Sequence, residues 1–200
     1  MEGEHLTIGV LALQGDFDAH LRALQRCGAK GCEVRTVQQL EQVQGLIIPG
    51  GESTTIIKLM QRYGLDEAIR RRAAEGMPVY GTCAGMIVLA HDIEGYPQQP
   101  RLGLMNVTVA RNAFGRQVDS FEVDLSVPRL GEPPLRAVFI RAPYVTRVGE
   151  GVEVLAQLDG KVVLVQQGTL LGSAFHPELT DDMRLHQYFA EMVQGTIEQQ

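Results

Sequence analysis

Apolar and polar positions in the first 90 residues alternate between two patterns, one typical of buried strands and the other of amphipathic helices. The run Leu6–Leu13 is nearly continuous in apolar residues, which is typical of a strand covered on both faces. Further apolar runs predict strands at residues 33–37, 46–48 and 77–80, and helical spacing predicts helices at residues 17–27, 53–60, 65–75 and 86–90. This strand–helix alternation predicts a parallel sheet with helices on both of its faces.

The second half of the chain has a different pattern of apolar and polar residues, with short predicted strands separated by Gly, Pro and Asp. The predicted strands are residues 104–110, 121–125, 137–140, 152–158, 161–165 and 170–175, followed by a helix at about 181–194. Asp159-Gly160 between two apolar runs predicts a tight hairpin. Residues 94–101 are short and stiff, which favours a loop over a domain boundary. We therefore expect a single α/β domain over residues 1–200, mostly parallel with an antiparallel extension.

Composition narrows the class of protein. Of the 200 residues, 44% are apolar and 21% charged, and the formal net charge is −6, which is typical of a soluble globular protein and disfavours nucleic acid or membrane surfaces as partners. The acidic first residues lack the pattern of a signal peptide. Three cysteines without a framework spacing indicate a reducing compartment, so we expect a cytoplasmic protein.

The G-x-C-x-G sequence at residues 81–85 lies between a predicted strand and a predicted helix. In the serine version of this turn, the nucleophile sits on a strained elbow at the carboxyl end of a strand. Cys83 is thus a candidate nucleophile, and the backbone N–H of Ala84 is a candidate oxyanion donor. A buried cysteine that only fills the core is an equally good explanation of this motif taken alone.

A second candidate follows a predicted strand near the end of the chain, at His176-Pro177-Glu178. In extended backbone, which Pro177 favours, residues two apart project to the same side. Glu178 is then placed to hold His176 in the tautomer that a general base needs. A plain turn before the last helix explains the segment alone, but together with Cys83 it completes the parts of a cysteine hydrolase.

Two polar loops are candidates for binding a substrate. Gly50-Gly51 ends the third predicted strand, and its amides are suited to supply a second oxyanion donor, although a tight turn before a helix explains the glycines equally well. Arg111 and Arg141 follow later strands, and arginine suits bidentate capture of a carboxylate, with a solvated surface as the alternative. The five histidines are scattered and no C-x-x-C occurs, so we expect no metal site. Cys27 and Cys32 are interpreted as packing residues.

The combination resembles the class I (triad) glutamine amidotransferases, and more closely the glutaminase subunits of glutamine-dependent pyridoxal 5′-phosphate synthase. The resemblance covers almost the whole chain. Its general motifs are GTCAG at residues 81–85 and HPE at residues 176–178. The stretches typical of the vitamin B6 branch are RNAFGRQVDSFE at residues 111–122 and FIRAP at residues 139–143.

The resemblance implies a role for each matching residue. Cys83 attacks the side-chain amide of glutamine, His176 takes the thiol proton and protonates the leaving nitrogen, and Glu178 orients His176. The amides of Gly51 and Ala84 form the oxyanion hole. The glutamine-contacting positions are Gly51, Glu52, Ser53, Arg111, Ile140 and Arg141, with arginine as the partner of the α-carboxylate. No cofactor is expected.

The resemblance also implies a partner, a separate barrel-shaped synthase subunit that receives the ammonia within a large hetero-oligomeric complex. The chain length agrees, since the hydrolase domain uses every predicted element and leaves no residues for a synthase. Three alternatives remain at this point. The first alternative is a glutaminase subunit for another acceptor, the second is a stand-alone cysteine hydrolase or peptidase, and the third is a catalytically silent interaction subunit.

Overall fold

A computed structural model describes residues 6–112, 114 and 120–200. In the first half the elements are β1 (Thr7–Leu11), α1 (Phe17–Arg26), β2 (Lys30–Val34), α2 (Val37–Leu40), β3 (Gly45–Ile48), α3 (Ser53–Arg62), α4 (Leu65–Ala74), β4 (Val79–Thr82), α5 (Ala84–Leu89) and β5 (Ala90–Ile93). In the second half they are β6 (Met105–Ala110), β7 (Ser120–Leu125), β8 (Leu135–Ile140), β9 (Tyr144–Val148), β10 (Glu153–Leu158), β11 (Lys161–Gln167), β12 (Leu170–Ser173) and α6 (Arg184–Glu198). Short 3-10 helices cover Pro128–Leu130 and Pro177–Leu179.

Five neighbouring strands form the parallel part of the main sheet, in the order β2-β1-β3-β4-β12. The residues of β3 and β4 are all buried, as expected for strands covered on both faces. Strand β12 comes from the end of the chain and pairs in parallel with β4, placing Ser173 beside Thr82. This register brings the segment after β12 next to the segment after β4.

The antiparallel extension begins at β12, which pairs with β11, and continues through β9 to β6. Strand β5 closes the edge in parallel with β6, β10 pairs with β11, and β7 and β8 form a separate antiparallel pair. Asp159 and Gly160 connect β10 to β11 with φ of 49° and 76°, so the predicted hairpin is confirmed. The predicted α/β class, mostly parallel with an antiparallel extension, is likewise confirmed.

Three details differ from the sequence-based expectations. The second strand ends at Val34 rather than Val37, because the Thr36 side chain accepts a hydrogen bond from the Gln39 N–H (3.1 Å) and caps α2 instead. Strand β5 was missed because Ala90 extends the apolar helix pattern into it. Strand β9 was missed because most of its residues are exposed and its apolar pattern is weak.

Helix α6 packs its apolar face on the parallel sheet. The Phe189 ring is fully buried and lies 5.6 Å from the ring of Tyr80 in β4, measured between centroids. Val193 is buried on the same face, against Gly45 at the start of β3. Among the described residues, no helix combines the length and the apolar character needed to cross a membrane.

We expect Phe189→Ala to lower the free energy of unfolding by about 3–5 kcal/mol, because it leaves a cavity between α6 and β4. Chemical denaturation followed by circular dichroism measures the change. Gln187→Ala, on the exposed side of the same helix, is the matched control and should change stability by less than about 0.5 kcal/mol. Similar losses in both variants would contradict the packing described for α6.

Candidate active site

The candidate site lies at the carboxyl edge of the parallel sheet, where the segments after β1, β3, β4 and β12 converge. Ligand sites of open α/β sheets form at this edge. An open pocket of about 460 Å³ is found there. Its lining residues are Gln14, Gly15, Gly51, Glu52, Ser53, Cys83, Ala84, Ile87, Arg111, Asn112, Ile140, Arg141 and His176. All the predicted site residues line this pocket except Glu178, which lies behind His176.

Cys83 occupies a strained turn between β4 and α5, with φ of 52° and ψ of −108°. Such a conformation is unusual for a residue with a side chain, and strain of this kind clusters at functional sites. The flanking glycines explain how the turn forms. A Cβ atom on Gly81 would overlap the carbonyl of Gly85, and one on Gly85 would overlap the carbonyl of Ile48. The predicted strand-to-helix elbow is therefore present.

Cys83 is 7% exposed and lies on the pocket wall rather than being sealed in the core. Its sulfur is 3.8 Å from the carbonyl oxygen of Ile140. Gly50 approaches from β3, where a Cβ atom would lie 2.6 Å from Cε1 of His176 and 3.4 Å from the Cβ of Cys83. Only a residue without a side chain fits here, so Gly50 lets the imidazole and the thiol share one space.

His176 and Glu178 form a short hydrogen bond, with Nδ1 of the ring 2.6 Å from Oε1 of the carboxylate. The backbone route to this contact differs from the prediction. His176 is extended, but Pro177–Leu179 is a 3-10 helix, so the two side chains meet across a turn rather than along a strand. The Glu178 side chain is only 2% exposed, whereas that of His176 is 13% exposed and reaches the pocket.

The surroundings of His176 favour its protonated form. Burial alone lowers the pKa of His176, but hydrogen bonds to Cys83 and Glu178, and the electrostatic attraction of both groups for a protonated ring, raise it from 6.5 to about 10. At neutral pH the arrangement therefore favours an imidazolium held between a carboxylate and a sulfur. This is a suitable environment for a thiolate, which is the nucleophilic form of cysteine.

The turn after β3 contributes Gly51, Glu52 and Ser53 to the pocket wall. Gly51 has a φ of 148°, which favours glycine, and a Cβ there would lie 2.8 Å from Oε1 of Gln14. That same oxygen accepts a hydrogen bond from the Glu52 N–H (2.8 Å), which ties the turn to the segment after β1. The Glu52 side chain makes no capping hydrogen bond to α3 and lines the pocket.

Ala84 is the first residue of α5, so its N–H has no acceptor within that helix. The carbonyl of Cys83 accepts hydrogen bonds from the N–H groups of Met86 and Ile87. Ala84 therefore begins the helix next to the sulfur, on the pocket wall. Its role as an oxyanion donor stays a prediction.

A polar bridge holds two of the predicted substrate contacts at the far side of the pocket. The side chain of Gln99 donates to Oγ of Ser53 (2.9 Å) and accepts from the guanidinium of Arg111 (2.7 Å). The Arg111 guanidinium also lies 4.1 Å from the centroid of the Tyr96 ring, a cation–π distance. Gln99 is 8% exposed, so its amide positions Arg111 and Ser53 from behind.

Ile140 and Arg141 complete the pocket at the end of β8. Arg141 has a φ of 45°, so the chain turns sharply as it leaves the strand. Within the described part of the chain, neither Arg111 nor Arg141 forms an ion pair with a carboxylate. Two arginines and Glu52 around one pocket suit a ligand that carries both a carboxylate and an ammonium group.

Gln14 and Gln99 also belong to the site, although the sequence motifs do not predict a role for either residue. Both are polar residues in predicted loops, where nothing in the pattern separates a structural amide from a solvated one. Part of the stretch at 111–122, namely residues 113 and 115–119, lies outside the described residues. Among those described, no group of three or more His, Cys, Asp or Glu side chains is placed to hold a metal ion.

Known proteins resemble this chain over nearly its whole length. A relative from Thermus thermophilus, named pyridoxal 5′-phosphate synthase subunit PdxT, is 61% identical over 186 residues, covering 92% of this chain and 96% of the relative. A relative of the same name from Moorella thermoacetica is 58% identical over 188 residues, covering 94% of this chain and 100% of the relative.

Solved structures agree in fold. A crystal structure described as a glutamine amidotransferase is 56% identical, with a TM-score of 0.89, and the match covers 94% of this chain and 98% of that one. The structure of PurLQS from Thermotoga maritima is 17% identical with a TM-score of 0.68, covers 98% of both chains, and supports the fold alone.

The family model that matches this chain is described as the SNO glutamine amidotransferase family, and it spans residues 10–195. The match leaves only short segments outside it, and the relatives above are more than half identical. The resemblance inferred from the motifs is thereby confirmed. This chain belongs to the SNO glutamine amidotransferase family.

Proposed function

We propose that this chain is the glutaminase subunit of a pyridoxal 5′-phosphate synthase, hydrolysing L-glutamine to L-glutamate and ammonia through a thioester on Cys83. One observation carries the proposal, the close grouping of Cys83, His176 and Glu178 at a pocket edge. It gains weight from relatives that are named as subunits of that synthase. The glutaminase domain comprises residues 1–200.

Cys83 is the nucleophile in this proposal. Its thiolate attacks the side-chain amide carbon of glutamine, and the carbonyl π electrons move onto oxygen to give a tetrahedral intermediate. His176, protonated by virtue of its raised pKa, donates a proton to the amide nitrogen, which leaves as ammonia when the C–N bond breaks. Glu178 keeps Nδ1–H of the ring occupied, so that Nε2 serves the reacting groups.

Water completes the cycle. His176, now neutral, removes a proton from the attacking water, and the hydroxide adds to the thioester carbonyl. Collapse of the second tetrahedral intermediate breaks the C–S bond and releases glutamate, and the thiolate–imidazolium pair returns. During both additions the N–H groups of Gly51 and Ala84 stabilise the oxyanion, a contribution that is about 10²–10³ in kcat per donor in comparable enzymes.

The remaining pocket residues bind the amino acid end of glutamine. Arg111 and Arg141 attract the α-carboxylate, since no carboxylate in the described part of the chain neutralises them. Glu52 attracts the α-ammonium group, and Ser53 adds a hydroxyl. The backbone at Ile140 borders the side-chain amide next to Cys83. These charges favour a free amino acid over a residue within a peptide.

The ammonia passes to a separate synthase subunit, with which this chain forms a large hetero-oligomeric complex in the cytoplasm. Free ammonia is mostly protonated in neutral water and is then no longer nucleophilic, so a direct transfer between subunits has a chemical advantage. The proposed acceptor subunit is the barrel-shaped synthase, which builds pyridoxal 5′-phosphate.

Ammonia and glutamate release from glutamine, measured with and without the matching synthase subunit, tests the proposed function. We expect release to rise on addition of the synthase and to vanish in Cys83→Ser. Cys32→Ser, a half-buried cysteine in β2, is the matched control and should keep full activity. Turnover that is the same with and without the synthase would indicate a stand-alone hydrolase. Activation only by another ammonia-accepting enzyme would indicate a glutaminase subunit for that acceptor. No turnover under any of these conditions would indicate a catalytically silent subunit.

The raised pKa of His176 predicts the pH dependence. Because the imidazolium supplies the proton to the leaving nitrogen, kcat/KM should stay level through neutral pH and fall as pH rises towards about 10. Glu178→Gln removes a charge that raises this pKa, so its alkaline limb should move down by about 1–3 pH units. Initial rates between pH 6 and 10.5 measure both profiles, and identical alkaline limbs would contradict the assignment.

Gln99→Leu should raise KM for glutamine about tenfold with kcat within about twofold, because it frees Arg111 and Ser53 from their shared support without touching Cys83. Gln98→Leu is the matched control, since the side chain of Gln98 is exposed next to that of Gln99 along the chain, and it should change neither constant. Steady-state kinetics with the synthase present measures both constants. A fall in kcat at unchanged KM would contradict a role in substrate binding.

A further inference from the structure

Two histidines that the proposed mechanism does not use lie directly behind Glu178. His20 in α1 and His186 in α6 are both fully buried. Nδ1 of His20 is 2.9 Å from Nε2 of His186, and the ring centroids are 5.1 Å apart. Burying two histidine rings costs free energy unless their nitrogen atoms form hydrogen bonds. The groups next to these nitrogens therefore indicate what the pair does.

The second carboxylate oxygen of Glu178 is the candidate acceptor for a hydrogen bond from His20. Oε1 of this carboxylate is bound to His176, but Oε2 is buried and makes no hydrogen bond within the described residues. Nε2 of His20 lies 3.5 Å from Oε2 and 3.4 Å from Oγ1 of Thr82. These contacts are longer than ideal hydrogen bonds, as catalytic contacts often are before substrate binds.

Both histidines are neutral at pH 7. Burial lowers the pKa of His186 to about 4. Burial, and the repulsion that a protonated His20 would meet from a protonated His186 and from the His176 imidazolium, hold the pKa of His20 well below 6.5. The titratable groups that face His20 are therefore His186, His176 and Glu178. Its contact with the carboxylate is a contact of a neutral ring and not an ion pair.

The neighbours then select the tautomers. A carboxylate oxygen can only accept, so Nε2 of His20 carries the hydrogen and Nδ1 is the acceptor. His186 must consequently donate from Nε2, which leaves its Nδ1 as a bare lone pair. That atom is the one His186 nitrogen without a partner among the described residues, and an unpaired lone pair costs less than an unpaired buried N–H.

We propose that His20, held in its tautomer by His186, is a positioning residue that donates its Nε2–H to Oε2 of Glu178 and so fixes the carboxylate against His176. The inference rests on the proposed role of Glu178. Each carboxylate oxygen then faces one imidazole N–H, from His176 on the pocket side and from His20 on the buried side. Without the second donor, the carboxylate is free to rotate away from its contact with His176.

Paired substitutions at His20 test this arrangement in the complex with the synthase. The amide nitrogen of glutamine can take the place of Nε2, whereas leucine fills space without a donor. We expect His20→Leu to lower kcat about tenfold with KM within about twofold, and to move the alkaline limb of the pH profile to lower pH. His20→Gln should restore most of the rate and the wild-type limb. His91→Leu, at an exposed histidine, should change neither.

Equal effects of leucine and glutamine on kcat and on the pH profile would overturn the proposal, since that result requires only packing from His20. An unchanged rate and limb in His20→Leu would overturn it as well. If the wild-type complex itself releases no ammonia, the proposed function fails instead, and the tautomer measurement below still decides the inference.

Nitrogen NMR of uniformly ¹⁵N-histidine-labelled wild-type protein reads the tautomers without any need for activity or for variants that fold. We expect His20 and His186 both to be neutral with hydrogen on Nε2 at pH 7. A hydrogen on Nδ1 of His20, or a protonated His20 ring at that pH, would overturn the proposal.

Discussion

The segments that end β3, β4 and β12 approach each other more closely than side chains allow, and the arrangement of the site depends on this backbone contact. Gly85 is packed on the carbonyl of Ile48, and Gly50 lies against both His176 and Cys83. Because these two glycines have no Cβ, the elbow and the turn share the space that side chains would fill. The parallel pairing of β12 with β4 then delivers His176 to the same place.

The site is graded in exposure from the pocket to the core. Cys83 and the half-buried ring of His176 face the pocket, Glu178 lies behind them, and His20 and His186 are fully buried. Charge also changes with depth. The His176 imidazolium lies between the sulfur and the Glu178 carboxylate near the pocket, whereas the deeper rings of His20 and His186 are neutral. A carboxylate shielded from water in this way interacts more strongly with His176 than an exposed one would.

The motifs of the sequence led to the chemistry because each is a local backbone signal. Glycines flanking Cys83 predict an elbow, and they form one. Proline after His176 also predicted the proximity of Glu178, although the turn there is a 3-10 helix and not the expected extended strand. Parallel strands were predictable from continuous apolar runs, whereas β5, at the sheet edge, continues the apolar helix pattern before it, and β9, between β11 and β6, has mostly exposed residues and a weak apolar pattern.

The supporting residues were not predictable for the opposite reason, since their roles depend on contacts between distant segments. Gln99 bridges residues 46 and 12 positions away, and His20 meets His186 across 166 positions. In the sequence, Gln99 is a loop amide and His20 is one polar position in an amphipathic helix. Only the fold reveals that both are buried and which atoms they face.

Covalent labelling with a diazoketone analogue of glutamine, which carries an electrophilic carbon beside the position of the amide carbonyl, tests most directly whether the glutamine pocket activates Cys83. Burial raises the pKa of the Cys27 and Cys32 thiols, which keeps them mostly in the unreactive thiol form at neutral pH. Peptide mapping by mass spectrometry should find one adduct, on Cys83, that excess L-glutamine suppresses. Labelling of Cys27 or Cys32 with Cys83 unmodified, or labelling of Cys83 that glutamine does not slow, would contradict the claim that the glutamine pocket activates Cys83.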